Sequence, residues 1–421
     1  MLIKSLLALV CMYLLSLSAS AQIPAFYTKE PGKRKVSFPV QIHNNLVVLP
    51  VRINGKEDRN FLLDTGVKTN ILFDPADIER LGLEVTRSLN LVGADGRTLI
   101  TASVSPYNTI DLGEVEGIFQ TILVLNENVF ELESIVGVPI HGIIGYEFFK
   151  YNPVRISYDK KRIDFYRSDA LRWRPIGFRK TAMTFDNGKP YIQAKVKQLD
   201  GVLPVKLLID TGANHGLLLN RETSDRINLP ARYIETDLGK SLGGDLYGLL
   251  GRKRRLTIEG LNFYDVITSF PDETEFSYVI KESGRQGSLG SEIFARLELI
   301  IDYRRERLLF KKAKSFNVPF EFDMSGIVLK AYPDGEVERY YVADLRADSP
   351  AAKAGIQVGD EIVSLNKVPV DFWNLTKMID LLRSEPGKQI FMRVLRLGEG
   401  STEENPVVET HEVNFILKRE I

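Results

Sequence analysis

Leu62-Leu63-Asp64-Thr65-Gly66 is written a second time, as Leu208-Ile209-Asp210-Thr211-Gly212. Asp-Thr-Gly alone says little, since average residue usage gives a chain of this length roughly 0.1 copies by chance. The surroundings repeat as well. At the shift that lays Asp64 on Asp210, Asn54-Gly55 falls on Asp200-Gly201, Ile71-Leu72-Phe73 on Leu217-Leu218-Leu219, and Asp74 on Asn220. One residue less, and Ile144-Gly145 meets Leu289-Gly290, Glu147 meets Glu292, and Ile156, Tyr158 and Phe165 meet Ile301, Tyr303 and Phe310. The period is too long for a solenoid and suits two domain-sized lobes of roughly 130 residues.

Each copy has the same local grammar. Asn-Gly and Asp-Gly predict type I′ hairpin turns. The Asp-Thr-Gly then ends a returning apolar strand, in a turn that glycine makes sterically possible. Asp74, with Pro75 behind it, and Asn220 read as helix N-caps, which predicts short helices over 74–83 and 220–229. The rest alternates as strands with glycine punctuation.

Hydrophobic residues make up 44% of the chain and charged residues 26%, with a formal net charge of zero. That balance argues neither for nucleic acid nor for anionic membrane surfaces as partners, and no nucleic-acid partner is expected. Residues 1–21 have the pattern of a signal peptide: Lys4, an apolar stretch over 6–17, then Ala19-Ser20-Ala21 before Gln22. The apolar stretch is too short for a spanning helix. The expected mature chain is exported, periplasmic or extracellular, with no membrane span. Cys11, the single cysteine, lies inside that signal, so the mature chain has neither a thiol nucleophile nor a thiolate metal site. Residues 22–35 read as a mobile leader, 36–167 as lobe one, 168–180 as the joining segment, 181–312 as lobe two, and 319–421 as a different unit.

In that last unit, Ser349-Pro350-Ala351-Ala352-Lys353-Ala354-Gly355-Ile356-Gln357-Val358-Gly359-Asp360-Glu361-Ile362 resembles PDZ domains of the bacterial protease-associated kind. The resemblance covers about a hundred residues and implies an α+β fold. A second helix is expected over 374–383 and a strand over 389–397. Such domains add a peptide as a strand to a sheet edge, with backbone N–H groups holding its terminal carboxylate. The stretch expected in that role is Ser325-Gly326-Ile327-Val328-Leu329, with Gly326, Ile327 and Val328 as contact residues and a peptide C-terminus as the partner. A domain that only packs on the lobes or regulates access is the competing reading.

Two aspartates brought together can hydrolyse a peptide bond without metal or cofactor. One carboxylate activates water while one carboxylic acid donates to the carbonyl oxygen, and like charges that close hold a single proton between them. Each lobe resembles a retropepsin-type aspartic protease domain, in the apolar-apolar-Asp-Thr-Gly run and in the later apolar-apolar-Gly of Ile143-Ile144-Gly145 and Ser288-Leu289-Gly290. Ser288 departs from the pattern. The resemblance implies a mainly β fold of two pseudo-symmetric, barrel-like lobes of six to seven strands, forming a bilobal aspartic protease unit. It further implies that Asp64 and Asp210 are the catalytic pair and that Thr65 and Thr211 hydrogen-bond across the two-fold. Gly66 and Gly212 would let the backbone pass behind the carboxylates.

Pepsin-like chains place Ser or Thr after Asp-Thr-Gly. Val67 and Ala213 stand there in this sequence, which removes a hydroxyl donor and predicts a dyad that titrates nearer neutrality. The candidate flaps are glycine-rich hairpin tips: Gly93, Asp95 and Gly96 in lobe one, and Gly243, Gly244 and Tyr247 in lobe two. Histidines 43, 141, 215 and 411 fall at no metal-ligand spacing, and His215 is the one near an aspartate. Arg252-Lys253-Arg254-Arg255 reads as a solvated turn. The expected function is that of an exported aspartic endopeptidase acting on a peptide or protein substrate. A catalytically silent peptide-binding or adaptor protein using the same cleft and PDZ domain is the alternative. A homodimer working through lobe two alone is a lesser one.

Overall fold

The computed structural model describes residues 25–92, 99–128, 132–241, 244–274, 277–334, 337–398 and 407–421. The expected signal peptide, and Gly93, Asp95, Gly96 and Gly243 of the flap candidates, lie outside the described residues. Among the described residues strands dominate, and no helix is long and apolar enough to cross a membrane.

Each lobe is built around one antiparallel hairpin that delivers an aspartate. In lobe one, Leu46–Ile53 pairs with Asp58–Leu63, and the turn between them has positive φ at both Asn54 and Gly55, as type I′ requires. In lobe two, Lys189–Lys197 pairs with Val202–Ile209. There only Gly201 has positive φ, at +148°, so the Asp200-Gly201 turn is not the expected I′. Gln198 N–H instead closes it on the Gly201 carbonyl. Among the described residues these hairpins belong to sheets of nine and eight strands, larger than the six to seven expected.

A third sheet explains where the remaining strands go. It has six strands among the described residues, three from each lobe: Lys35–Pro39, Arg162–Tyr166 and Val154–Ser157, then Leu297–Asp302, Arg307–Lys312 and Arg179–Ala182. The lobes meet where Val154–Ser157 pairs antiparallel with Leu297–Asp302. Its inner face feeds one continuous apolar core that draws on both lobes, including Phe148, Phe149, Phe165, Phe294 and Phe310.

Three expectations need correction. The leader 22–35 is not simply mobile: Ala25–Thr28 is a strand paired with Val115–Leu125, because the Phe26 ring fills the space that Gly117 leaves by lacking a side chain. The helix expected over 74–83 is only Asp77–Arg80, although Asp74 does cap the turn before it by accepting from Ala76 N–H at 2.9 Å. The helix expected over 220–229 is a single 3-10 turn, Arg221–Thr223. Hydroxyls unravel it: Thr223 Oγ1 donates to the Asn220 carbonyl and Ser224 Oγ accepts from Arg226 N–H, competing with the helical ladder.

The basic run 252–255 is also not a solvated turn. It lies within the strand Gly244–Ile258, so its side chains alternate between faces. Lys253 is 3% exposed and donates to Gln198 Oε1 and the Asn228 carbonyl. Arg252 donates to the Phe320 carbonyl and pairs with Glu321 at 3.1 Å, fastening lobe two to the start of the C-terminal unit.

The C-terminal unit has its own core and its own sheet, in which Ile327–Asp334 is an edge strand. Ser349 caps the helix Pro350–Lys353 and Asn374 caps the helix Leu375–Leu382 through Lys377 N–H. The strands Glu361–Leu365 and Gln389–Leu397 pair beside them.

Candidate active site

Parallel strands fix where each aspartate sits. Gly142–Ile144 runs beside Asp58–Leu63, and the Ile144 carbonyl accepts Asp64 N–H at 2.9 Å. Gly287–Leu289 runs beside Val202–Ile209, and the Leu289 carbonyl accepts Asp210 N–H at the same distance. The glycine after each strand is obligatory. A Cβ at Gly145 would collide with the Val67 carbonyl, and one at Gly290 would stand 2.8 Å from the Ala213 carbonyl oxygen. Val67 does not disturb its turn, since its side chain joins the apolar cluster of lobe one.

The two turns are locked to each other. Thr65 N–H donates to Thr211 Oγ1 at 3.1 Å, and Thr211 N–H donates to Thr65 Oγ1 at 3.1 Å. Thr65 Oγ1 donates to the Ile209 carbonyl at 2.6 Å, and Thr211 Oγ1 donates to the Leu63 carbonyl at 2.9 Å. Both threonines are fully buried, so all four bonds are shielded from water. They tie together lobes that are 146 residues apart in sequence. This geometry rules against a site that needs lobe two of a second chain, because each lobe's turn is already completed by the other.

Asp64 and Asp210 face each other across that lock. A Cβ at Gly66 would lie 3.1 Å from Asp64 Oδ1 and 3.5 Å from Asp210 Oδ1, while one at Gly212 would overlap the Asp64 carboxylate. Gly66 N–H donates to Asp64 Oδ1 at 2.6 Å. Burial first, and the adjacent Asp210 charge second, push the Asp64 carboxyl well above the ordinary range. Gly66 N–H and the Lys189 charge pull the other way. Such a pair holds one proton between its two carboxyls.

Around this centre the flap candidates are partly visible. Arg87–Val92 and Leu99–Asp111 form the two legs of a hairpin in lobe one, with Val92 opposite Leu99. In lobe two Gly244 lies opposite Ser241 at the top of the described hairpin, and Tyr247, opposite Asp237, is exposed.

The sequence singled out His215 and Ser288 but not Lys189 or Arg285. His215 is half-buried, with Nε2 3.0 Å from Ser288 Oγ, and burial lowers its basicity below the usual histidine range. The polar Ser288, which departs from the apolar-apolar-Gly pattern, thus has a polar partner. Lys189 and Arg285 stand on the same side. The repeat held the signal for Arg285, which precedes Gly290 by the interval at which Ile140 precedes Gly145.

The C-terminal loop corrects another expectation. The N–H groups of Gly326 and Ile327 are already engaged, the first by Asp323 Oδ2 at 2.6 Å and the second by Ser325 Oγ at 3.1 Å. Arg346 pairs with the same Asp323 carboxylate at 3.0 Å. The chain's own Asp323 carboxylate and Ser325 hydroxyl therefore engage two of the donors expected to hold a ligand's carboxylate. Ile327 is buried and Val328 half-buried, both in the edge strand Ile327–Asp334. The lobe-one helix Leu132–Val136 packs on that same strand. Gly137, just beyond it, faces Leu375 so closely that a Cβ would stand 2.8 Å from that residue's Cβ. Asn44 N–H donates to Thr376 Oγ1 at 3.3 Å.

Comparison with known proteins agrees with this architecture. A family model described as aspartyl protease matches residues 49–148 and again 192–293, and a PDZ domain model matches 341–396. Among curated proteins, the Regulator of sigma-E protease RseP of Salmonella typhimurium (strain 14028s) is 28% identical over 97 residues, as is the Regulator of sigma E protease of Salmonella typhi. The matched stretch is 23% of this chain and 21% of each relative, so the chain spans about a fifth of the length of these relatives. The two Asp-Thr-Gly lobes are domains of the aspartyl protease family, joined in one chain and followed by a PDZ domain.

Proposed function

We propose that the chain is an exported aspartic endopeptidase. The observation that carries this reading is the pair Asp64 and Asp210, locked face to face by reciprocal threonine bonds, with burial and the neighbouring charge raising the Asp64 carboxyl. In the proposed reaction a water between them loses a proton to the Asp210 carboxylate as its oxygen bonds to the peptide carbonyl carbon. Asp64 gives its proton to the carbonyl oxygen. The tetrahedral diol collapses with C–N cleavage: Asp210, now protonated, gives its proton to the leaving nitrogen while a diol hydroxyl returns a proton to Asp64, and the pair is again singly protonated. The strand pairs Arg87–Val92 with Leu99–Asp111 and Tyr233–Ser241 with Gly244–Ile258 lie over the substrate and exclude bulk water. The signal pattern of residues 1–21 supports export.

For the PDZ domain we propose a supporting seat rather than an open receptor. Its edge strand carries the lobe-one helix, and of its expected carboxylate-binding donors Gly326 N–H is held by Asp323 and Ile327 N–H by Ser325.

The test is cleavage of a diverse peptide mixture by the mature chain across pH, with Asp64→Asn and Asp210→Asn beside it. Turnover lost in both variants is expected. Absence of turnover in the wild type at every pH, with peptide binding intact, would replace this reading with that of a silent peptide-binding protein.

A further inference from the structure

The lobes do not offer the same wall to what lies between them. In lobe one Val48 stands opposite Leu62, and two further steps in that register put Leu46 opposite Asp64. In lobe two Tyr191 stands opposite Leu208, and the same two steps put Lys189 opposite Asp210. Opposed residues of an antiparallel pair project from one face. Leu46 and Lys189 are therefore equivalent neighbours of the two aspartates. The neighbouring strands show the same exchange, with Ile140 and Ile143 before Gly145 but Arg285 and Ser288 before Gly290.

Lobe one's set is apolar. Leu46, Ile140 and Ile143 are packed in one cluster with Leu62, and Val67 lies partly exposed against it. Lobe two's set is cationic. Lys189 and Arg285 are half-buried, and among the described residues neither side chain has an ion-pair partner. Arg285 Nε is buried without any acceptor. Gly188 lies against the Tyr146 ring of lobe one, where a Cβ would make a 3.4 Å contact. That contact places the Lys189 hairpin at the interlobe boundary and not on the outer surface. Burial, and then the Arg285 charge, hold the Lys189 ammonium below the usual lysine range, while Asp210, Asp64 and Asp186 act in the opposite direction without an ion-pair contact. Two half-buried cations in direct contact with no carboxylate, one with a buried N–H lacking an acceptor, leave charged donors unmet on this wall.

We propose that Lys189 and Arg285 form a subsite for an acidic side chain of the substrate on the lobe-two side of the scissile bond, while the lobe-one side takes an apolar residue. This rests on the endopeptidase reading and goes beyond it by naming the substrate class. An ionised Asp or Glu side chain supplies these donors with a charged acceptor, and an amide of the same shape does not. A charge-assisted hydrogen bond of this kind corresponds to roughly ten- to hundredfold in kcat/KM.

The test uses the full mature chain and peptide pairs that differ only in Glu against Gln at positions flanking the cleavage site. The peptides are amidated at the C-terminus to keep the PDZ domain out of the measurement. Cleavage is measured for the wild type, Lys189→Arg, Lys189→Leu and Lys189→Glu. Binding of the same peptides to Asp64→Asn is measured by fluorescence polarisation. The expected result is a Glu preference at one flanking position that Lys189→Arg keeps, Lys189→Leu abolishes and Lys189→Glu turns toward Lys. Equal cleavage of Glu and Gln peptides by the wild type overturns the proposal, and so does a preference unchanged in Lys189→Leu. Glu-selective binding without turnover in any form would retract the protease reading and leave the subsite standing. Neither turnover nor selective binding would overturn both.

Discussion

Replacing Thr211 by valine removes one oxygen from the interlobe lock and preserves its shape. That oxygen accepts Thr65 N–H at 3.1 Å and donates to the Leu63 carbonyl at 2.9 Å, and both partner residues are fully buried. A buried backbone group left unmet costs about 1–3 kcal/mol, so two give roughly 2–6 kcal/mol. Domains are stable by only about 5–15 kcal/mol in total. With Tm falling roughly 2–4 °C per kcal/mol in a unit of this size, the bilobal transition should drop by on the order of 10 °C. Thr211→Ser keeps the hydroxyl and loses only a methyl group, which costs about 1 kcal/mol. Differential scanning calorimetry of the full chain reads both variants, and the PDZ transition serves as an internal reference. The reasoning fails if Thr211→Val melts within about 3 °C of the wild type, or if serine is as damaging as valine, since packing and not hydrogen bonding would then hold the lobes.

Other perturbations reach different parts of the molecule. The Asp64 carboxyl is raised in the fold, so the folded protein keeps a proton that the unfolded chain releases; stability should be complete below the ordinary carboxylate range and decline as pH rises through the folded value. Urea titrations across pH should show that decline flattened in Asp64→Asn, and equal slopes in both proteins would contradict it. Because the proposed hydrolysis needs the same proton, turnover should fall on the alkaline side of that value, with its optimum nearer neutrality than strong acid. Gly212→Ala should abolish turnover, because its Cβ would overlap the Asp64 carboxylate, whereas Gly66→Ala, at 3.1 Å from Asp64 Oδ1, should lose less. Kinetics in the reverse order would sink that ranking. Gly137→Ala should push Leu375 away and loosen the PDZ domain from lobe one, seen as faster hydrogen exchange along residues 327–334 with the dyad's pH profile unchanged.

What could be read from the sequence was whatever a short stretch carries by itself. Asp64-Thr65-Gly66 and its copy announce a dyad because each aspartate is written beside the threonine and glycine that its turn contributes, and Ser349 and Asn374 announce their helices because a cap lies next to the turn it closes. The 3-10 turn at Asn220 was missed because Thr223 and Ser224 compete for the backbone that the cap would otherwise organise. Lys189 was invisible for a different reason. Its place opposite Asp210 depends on hairpin register, and upstream of Asp200-Gly201 the lobe-two hairpin is longer than its counterpart, so the simple repeat shift no longer pairs it with Leu46. The Asp323 carboxylate under Gly326, and the seating of residues 132–137 on the PDZ domain, join segments with no common local signal.

The sheet shared by the two lobes also dictates a timetable for assembly. Its central pairing joins Arg155 to Glu298, residues 143 apart, and contacts of such separation form late and slowly. As the chain emerges from its N-terminus, Val154–Ser157 must wait as an unpaired edge until Leu297–Asp302 arrives. Until then there is a single Asp-Thr-Gly turn with no partner threonine, hence no dyad and no shared proton. A half-made chain is inert, and competence for the proposed chemistry switches on only when the last strands close the sheet. If the proposed hydrolysis is this chain's activity, no copy can cut anything while it is still being made.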